Sequence, residues 1–214
     1  MFVKICGLTQ PDEAQAIAAM GVSALGFIAV PQSPRVVPLA RLASLTRDLP
    51  SAVDRVGVFQ DQSVAEIREW VQAGHLTTVQ LHGQESPQFC AQLAQALPEV
   101  KRIKVFRPWQ PSDLDPIFAY SQVVDCILID AFHPSQGGGT GRTVDQALLR
   151  GISFPLPWVL AGGLKPETIV ATLQILHPDG IDLSSGVERA PGLKDLRRVQ
   201  MLLDELRRLQ SSPL

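Results

Sequence analysis

The sequence CILID, at Cys126–Asp130, has four apolar residues in a row directly before a carboxylate. An unbroken apolar run is typical of a strand in a parallel sheet that is covered on its faces, whereas a strand with one wet face alternates apolar and polar residues. Similar short runs recur along the chain, and longer amphipathic stretches separate them. This alternation predicts the crossover units of an α/β fold with a parallel sheet.

Eight such units can be counted. Strands are predicted at residues 2–6, 23–28, 55–59, 77–81, 101–106, 124–130, 158–161 and 180–183. Helices are predicted at 11–20, 38–48, 63–72, 86–96, 112–120, 144–150, 166–176 and 193–209, of which 112–120 is the weakest. Ser63 and Glu66 have the spacing of a capping box at the start of the third helix. Eight consecutive strand–helix units predict a (β/α)8 barrel.

An open, doubly wound sheet is the alternative architecture. It is disfavoured because no GxGxxG motif stands between the first strand and the first helix. A length of 214 residues suits one barrel, and no linker, repeat or low-complexity segment interrupts it. We therefore predict one domain over residues 1–210 and a frayed tail at 211–214.

Composition narrows the partners of the protein. A net charge of −2 gives no basic excess for binding nucleic acid, and no apolar run approaches the roughly 20 residues that span a bilayer. The amino terminus lacks the layout of a signal peptide. The three cysteines have neither disulfide nor metal spacing, and the histidines are scattered. These features predict a cytoplasmic protein without a metal site, a membrane or a nucleic-acid partner.

The functional groups of a (β/α)8 barrel lie where strands end and loops begin. In this sequence those positions are Cys6, Ile28, Phe59, His82, Phe106, Asp130, Gly162 and Ser184. Cys6 and Asp130 are the clearest candidates for proton transfer. A carboxyl group after four apolar residues is expected to be poorly solvated, and burial disfavours its charged form, which suits a proton donor. A loop or helix cap is the commoner role of a lone aspartate.

Cys6 ends the run KIC and precedes Gly7. A free thiol is most often an inert filler of the core. Beside a phosphate site lined with N–H dipoles, the pKa of this thiol could fall enough for it to act as a base. The residues alone favour the inert role.

Two glycine-containing stretches follow the last two strands. LAGGL spans Leu160 to Leu164, and DLSSGVE spans Asp182 to Glu188. Loops in these two places form the usual phosphate site of a barrel, and a short helix starting near Ser185 would point its positive end at the anion. Plain turns are the alternative. The glycine-rich stretch at 132–143 could be an active-site cover, a further phosphate contact or a surface loop.

Three more side chains could bind a ligand. Arg35, in SPR, could clamp an anion with two hydrogen bonds, or could be a solvated loop residue. His82, in QLHG, is more often a hydrogen-bonded structural histidine. Asp182 could bond sugar hydroxyls or pair locally.

Several motifs occur in a fixed order along the whole chain. They are KICGLT at 4–9, GFIAVPQSPR at 26–35, VGVF at 56–59, VQLHGQE at 79–85, LIDAF at 128–132, GGTGRT at 138–143, LAGGLKPE at 160–167 and GIDLSSGVERAPGLKD at 180–195. This series resembles the phosphoribosylanthranilate isomerase family from end to end. KICG and the closing DLSSGVERAPGLKD are its most specific parts.

The resemblance implies an Amadori rearrangement of a small phosphorylated substrate in tryptophan biosynthesis, without a cofactor. It implies that Asp130 is the general acid at the furanose oxygen and that Cys6 is the general base at the sugar C2. Arg35 is expected to contact the anthranilate carboxylate. The residues expected around the phosphate are Gly141, Gly162, Gly163, Ser185 and Gly186, while His82 and Asp182 match positions near the site. The sequence leaves open whether the protein is a monomer or a homodimer.

Two positions depart from the family pattern, and both concern packing. Ala29 stands where an aromatic residue often follows GFI, so the anthranilate pocket could be lined differently. Val144 stands where phenylalanine is more usual.

Three other functions are possible for a barrel with these loops. An indole-glycerol-phosphate synthase would use lysines at strand ends, whereas Lys4 and Lys104 lie inside predicted strands. A metal-dependent pentose-phosphate epimerase would need clustered histidine and aspartate ligands. A non-catalytic barrel that binds a phosphorylated metabolite would keep the glycine loops but would need neither Cys6 nor Asp130.

Overall fold

The computed structural model describes residues 1–130 and 146–211. Its eight main strands are β1 (Phe2–Cys6), β2 (Ala24–Ile28), β3 (Asp54–Phe59), β4 (Thr78–Leu81), β5 (Lys101–Phe106), β6 (Cys126–Asp130), β7 (Trp158–Ala161) and β8 (Gly180–Leu183). Its helices are α1 (Pro11–Ala19), α2 (Leu39–Thr46), α3 (Val64–Gly74), α4 (Pro87–Ala96), α5 (Gln146–Leu149), α6 (Ile169–Ile175) and α7 (Leu196–Ser211).

The eight strands form a closed parallel barrel in chain order. The closing pair is β1 with β8, in which Lys4 lies opposite Asp182 and Val3 opposite Ile181. The prediction of a (β/α)8 barrel is therefore confirmed. Because both ends of the sequence are needed to close it, residues far apart in the chain meet at this seam.

The core has two layers. The larger layer lies between the strands and the surrounding helices, and it includes Phe27, Leu81 and Ile129. A smaller cluster of Ile103, Val105, Leu128, Val159 and Ala161 fills the barrel itself, with Phe2 and Cys126 packed against it. Successive residues of a strand point to opposite faces, so this inner cluster identifies the face of each strand that turns into the barrel.

Local signals explain the boundaries of α3 and the form of the helix after β5. The predicted capping box at Ser63 and Glu66 is present, and α3 continues to Gly74 before His75 adopts a left-handed conformation. The weakest predicted helix is a 3-10 helix at Pro111–Tyr120, with Pro116 inside it. Proline has no N–H to donate and clashes with the preceding turn, which disfavours a regular α-helix there.

The prediction that the last helix begins at Leu193 is wrong. Leu193–Lys194 forms a short strand, β10, which pairs antiparallel with β9 at Glu188–Ala190. The backbone N–H of Lys194 donates to Glu13 Oε2 at 2.9 Å, so this segment is bonded to α1 instead of continuing a helix. At its other end α7 reaches Ser211, the first residue of the predicted frayed tail, and 212–214 lie outside the described residues.

None of the helices within the described ranges is both long and apolar enough to cross a bilayer.

Candidate active site

Cys6 and Asp130 both lie on the inner face of the barrel at the carboxyl ends of their strands. Phe2 packs against the inner cluster, and Cys6 is four residues further along β1 and therefore on the same face. Leu128 belongs to that cluster, and Asp130 follows it by two residues. The two proton-transfer candidates therefore face one interior at one rim, with β7 and β8 between their strands.

Cys6 lies beside a buried ion pair. Lys4 is fully buried, and its Nζ donates to Asp182 Oδ2 at 2.9 Å. Burial is the largest influence and lowers the pKa of this lysine, but the charges of Asp182 and Cys6 and the hydrogen bonds to them together raise it, and the net direction is above its ordinary value. Lys4 is therefore a stable cation inside the barrel.

The lowered pKa that one of the two possible roles of Cys6 requires is not found. Burial raises the pKa of the thiol, Lys4 lowers it, and Asp182 raises it, so that the net direction is upward. The thiol is 6% exposed, and withdrawing it from water penalises the thiolate more than the neighbouring cations favour it.

Asp130 has polar surroundings where the sequence predicted apolar ones. Its side chain is 17% exposed, and its Oδ2 lies 3.4 Å from Arg107 Nε and 3.5 Å from His82 Nε2. On the other side of the ring, His82 Nδ1 lies 3.4 Å from the amide Nε2 of Gln80. His82 therefore lies between Gln80 and Asp130, with one ring nitrogen near each. This position agrees with the prediction of a hydrogen-bonded histidine.

Arg35 is held in place by Glu188, the first residue of β9. The guanidinium donates from Nε to Oε1 at 2.9 Å and from Nη2 to Oε2 at 2.6 Å. Lys194 Nζ donates to the same carboxylate at 2.7 Å. Although burial raises the pKa of Glu188, these hydrogen bonds hold it below its ordinary value. Glu188 thus fixes the orientation of Arg35, the predicted anion clamp, and is itself held by Lys194.

The loops after β7 and β8 lie side by side. Gly162 and Gly163 have φ of +89° and +66°, a conformation that L side chains rarely adopt. A β-carbon on Gly186 would collide with the backbone carbonyl of Leu164, so the second loop packs directly on the first. Ser185 is exposed at this place, whereas Gly186 is buried. Gly141 and Val144 lie outside the described residues.

The short helix predicted near Ser185 is a single 3-10 turn at Ser185–Val187. Three residues align few peptide dipoles, so backbone N–H groups, more than a helix dipole, would meet an anion here.

Ala29, the residue that departs from the family pattern, is buried. Its carbonyl accepts a hydrogen bond from Gln62 Nε2 at 3.1 Å.

Four charged residues of this region were not predicted as part of it: Lys4, Arg107, Glu188 and Lys194. Arg107 could have been found by reading one residue beyond the end of the fifth strand. Lys4 could have been found from its two-residue spacing to Cys6, which puts both side chains on one face. The places of Glu188 and Lys194 depend on contacts with Arg35 and Glu13, which are 153 and 181 residues away, and the sequence offers no local signal for these contacts.

Within the described ranges, no three histidine, cysteine, aspartate or glutamate residues are grouped so that they could hold a metal ion.

A closed parallel barrel with candidate proton-transfer groups, a candidate arginine clamp and glycine loops at the carboxyl ends of its strands is the arrangement of the (β/α)8-barrel enzymes. The sequence family described as N-(5'-phosphoribosyl)anthranilate (PRA) isomerase matches residues 3–205. This chain belongs to the N-(5'-phosphoribosyl)anthranilate isomerase family.

Individual relatives agree with the family. An N-(5'-phosphoribosyl)anthranilate isomerase of Synechococcus sp. (strain JA-2-3B'a(2-13)) is 54% identical over 210 residues, which cover 96% of this chain and 90% of that protein. The crystal structure of phosphoribosyl anthranilate isomerase from Thermotoga maritima matches with a TM-score of 0.87 and 31% identity, over 97% of this chain and 98% of that one.

A second solved structure contains a ligand. It is a phosphoribosyl anthranilate isomerase in complex with reduced 1-(o-carboxyphenylamino)-1-deoxyribulose 5-phosphate. It matches with a TM-score of 0.80 and 29% identity, over 97% of this chain and 98% of that one.

Proposed function

We propose that this chain isomerises N-(5'-phosphoribosyl)anthranilate to 1-(o-carboxyphenylamino)-1-deoxyribulose 5-phosphate in tryptophan biosynthesis, with Asp130 as general acid and Cys6 as general base. The observation that carries the proposal is that one carboxyl group and one thiol face the same barrel interior at the rim where barrel enzymes act. Membership of the isomerase family supports the same reaction.

The first step is ring opening. Asp130 donates its proton to the furanose oxygen, the bond between that oxygen and C1 breaks, and the nitrogen lone pair forms a protonated Schiff base with C1. Asp130 is left as a carboxylate. Arg107 Nε at 3.4 Å and His82 Nε2 at 3.5 Å are placed to stabilise that negative charge as it forms.

The second step is proton removal from C2. The Cys6 thiolate takes this proton, the electron pair forms a C1–C2 double bond, and the Schiff-base nitrogen is neutralised. The resulting enolamine tautomerises to the ketose. The Schiff-base cation accepts the electrons, so the chemistry needs no cofactor. This substrate cation also favours a thiolate beside it, which offsets part of the penalty that burial imposes on Cys6.

Substrate binding is assigned to the surrounding groups. Arg35 receives the anthranilate carboxylate, because Nε and Nη2 are engaged by Glu188 and Nη1 is left for a ligand. Asp182 Oδ1, a buried oxygen that has no hydrogen-bond partner among the residues the structure describes, accepts from a sugar hydroxyl. The residues assigned to the phosphate are Gly162, Gly163, Ser185 and Gly186, together with Gly141 from the segment outside the described residues. His82 is assigned a place near the ribose because its Nε2 lies 3.5 Å from Asp130 Oδ2.

The synthase alternative is disfavoured by the partners of both strand lysines. Lys104 bonds Glu85 at 2.7 Å on the side that faces the helices, and Lys4 bonds Asp182. A non-catalytic barrel would have no use for the groups arranged around Cys6 and Asp130.

Three broader proposals accompany this function. Residues 1–210 act as one domain, which is supported by the pairing of β8 with β1. The protein works in the cytoplasm. It is a monomer or a homodimer, and its relative from Thermotoga maritima is described as dimeric.

The proposed function is tested by following the fluorescence of the anthranilate adduct, generated in the cuvette, after the full chain is added. We expect the fluorescence to fall with saturable kinetics. Ligand-dependent protection against heating without turnover would instead support a binding barrel. Conversion of the carboxyphenylamino-deoxyribulose phosphate to an indole would support the synthase.

A further inference from the structure

We propose that Lys4 is a positioning residue for the reaction: its ammonium group stabilises the thiolate of Cys6, while Asp182 fixes the ammonium group in place. This inference rests on the proposed function of Cys6 as the base. It assigns a role to a buried cation that the two proton-transfer steps do not use.

The backbone brings the three residues together. Lys4 and Cys6 are two residues apart on β1 and therefore share the inner face of the barrel. Lys4 and Asp182 lie opposite each other in the register of β1 with β8, and their side chains form a 2.9 Å ion pair. An ammonium group has three N–H donors, and one hydrogen bond to Asp182 leaves the others for the thiolate and the ligand.

Gly26 makes room for this contact. It lies opposite Cys6 in the register of β1 with β2. A β-carbon at this position would stand 2.6 Å from Cys6 Sγ and 3.1 Å from Lys4 Nζ. The sulfur and the nitrogen therefore both pass over the bare backbone of this glycine and share one small space.

The other two cationic side chains near Cys6 form ion pairs with a carboxylate. Lys194, on β10, and Arg35, on the loop after β2, both interact with the thiol, but both bond Glu188. Burial is the largest influence on the pKa of Cys6, and the charge of Lys4 is the next, ahead of the opposing charge of Asp182. Lys4 is thus the cation with the greatest effect on the thiol.

The proposal predicts opposite effects for two substitutions. Lys4→Met removes the cation and leaves Asp182, so the thiolate becomes harder to form. Asp182→Asn removes the anion and leaves the cation, so the thiolate becomes easier to form. If Lys4 only supported the fold, both substitutions would break the same ion pair and would change thiol reactivity in the same direction.

The experiment measures iodoacetamide alkylation of Cys6 in the substrate-free full chain as a function of pH. The Cys6→Ser variant supplies the background from Cys90 and Cys126, whose pKa values burial raises to about 11 and about 12. At a fixed pH below the midpoint we expect about tenfold slower alkylation in Lys4→Met and about tenfold faster alkylation in Asp182→Asn. Lys101→Met, at an exposed lysine on the same barrel, is the matched control and should leave the rate unchanged.

In Lys4→Met alone, the buried carboxylate of Asp182 loses its ion-pair partner, and a second comparison removes this complication. Lys4→Met combined with Asp182→Asn contains no buried charge of this pair, and it should be alkylated more slowly than Asp182→Asn alone. Equal rates in these two variants, or shifts of the same sign in the two single variants, would overturn the inference. Because no substrate is present, a failure here is distinguishable from absent isomerase turnover.

Discussion

Both carboxylate oxygens of Glu188 accept hydrogen bonds from the guanidinium of Arg35, at 2.9 Å from Nε and 2.6 Å from Nη2. The pair joins the loop after β2 to the hairpin after β8, across 153 positions of sequence. A guanidinium group held in this way loses little freedom when its remaining N–H groups meet a carboxylate ligand. The relationship makes Glu188 the residue that sets the position of the clamp.

Replacing Glu188 with glutamine should weaken substrate binding more than turnover. The amide can accept only one of the two guanidinium bonds, so Arg35 loses its fixed orientation. We expect KM to rise about tenfold, equivalent to about 1.4 kcal/mol, with a smaller change in kcat. Steady-state kinetics would measure this, with Glu205→Gln, at a surface pair with Arg208, as the control. An unchanged KM would refute the assignment.

The same carboxylate should contribute stability that depends on pH. Its pKa in the folded protein is below the ordinary value, so the contribution is complete above the pKa of the unfolded chain and is lost as pH falls through the folded value. Urea unfolding of wild type and Glu188→Gln at pH 7 and at about pH 3 would show it. The stability advantage of wild type should shrink at the lower pH, and a constant difference would speak against the linkage.

Gly162 should be needed for phosphate binding because of its backbone conformation. An alanine at φ +89° is strained by about 1–2 kcal/mol and would turn the loop amides away from an anion. We expect Gly162→Ala to raise the inhibition constant of inorganic phosphate about tenfold. Gly151→Ala is the matched control, because Gly151 has φ +76° and open space around it. Equal phosphate inhibition in both variants would remove Gly162 from the phosphate site.

Lys104 should matter for stability and not for catalysis. It is a buried lysine like Lys4, but it bonds Glu85 at 2.7 Å and the carbonyl of Gly83 at 2.7 Å, away from the barrel interior. Lys104→Met leaves a buried carboxylate unpaired and should cost about 3–5 kcal/mol of unfolding free energy. Adding Glu85→Gln should recover part of that loss, while kcat/KM of folded protein stays within about twofold in both variants. A large loss of kcat/KM would place Lys104 in the chemistry.

The strands could be predicted closely because a buried parallel strand needs an unbroken apolar run. β1 (Phe2–Cys6) and β5 (Lys101–Phe106) match their predicted bounds. The hairpin of β9 and β10 could not be predicted, because the leucine spacing after Leu193 reads locally as a helix. Its strand pairing depends on Glu13 and Glu188, which the sequence does not show to be neighbours.

Some residues of the candidate site could also be predicted from local sequence, and others could not. Cys6 and Asp130 could be selected because each ends a strand, and strand ends converge in a barrel. Their charged neighbours could not, since Lys4 and Asp182 are 178 residues apart and meet only when β8 closes on β1. The sequence left open whether the pKa of Cys6 falls, because it does not show how deeply the thiol is buried, and that burial raises the pKa.

The roles of Cys6 and Asp130 can be measured by the turnover of N-(5'-phosphoribosyl)anthranilate in Cys6→Ser and Asp130→Asn, beside Cys126→Ser. We expect kcat to fall by about 10²–10⁴-fold in each of the first two variants, with substrate binding retained, and Cys126→Ser to keep the wild-type rate. Wild-type turnover in either Cys6→Ser or Asp130→Asn would contradict these roles.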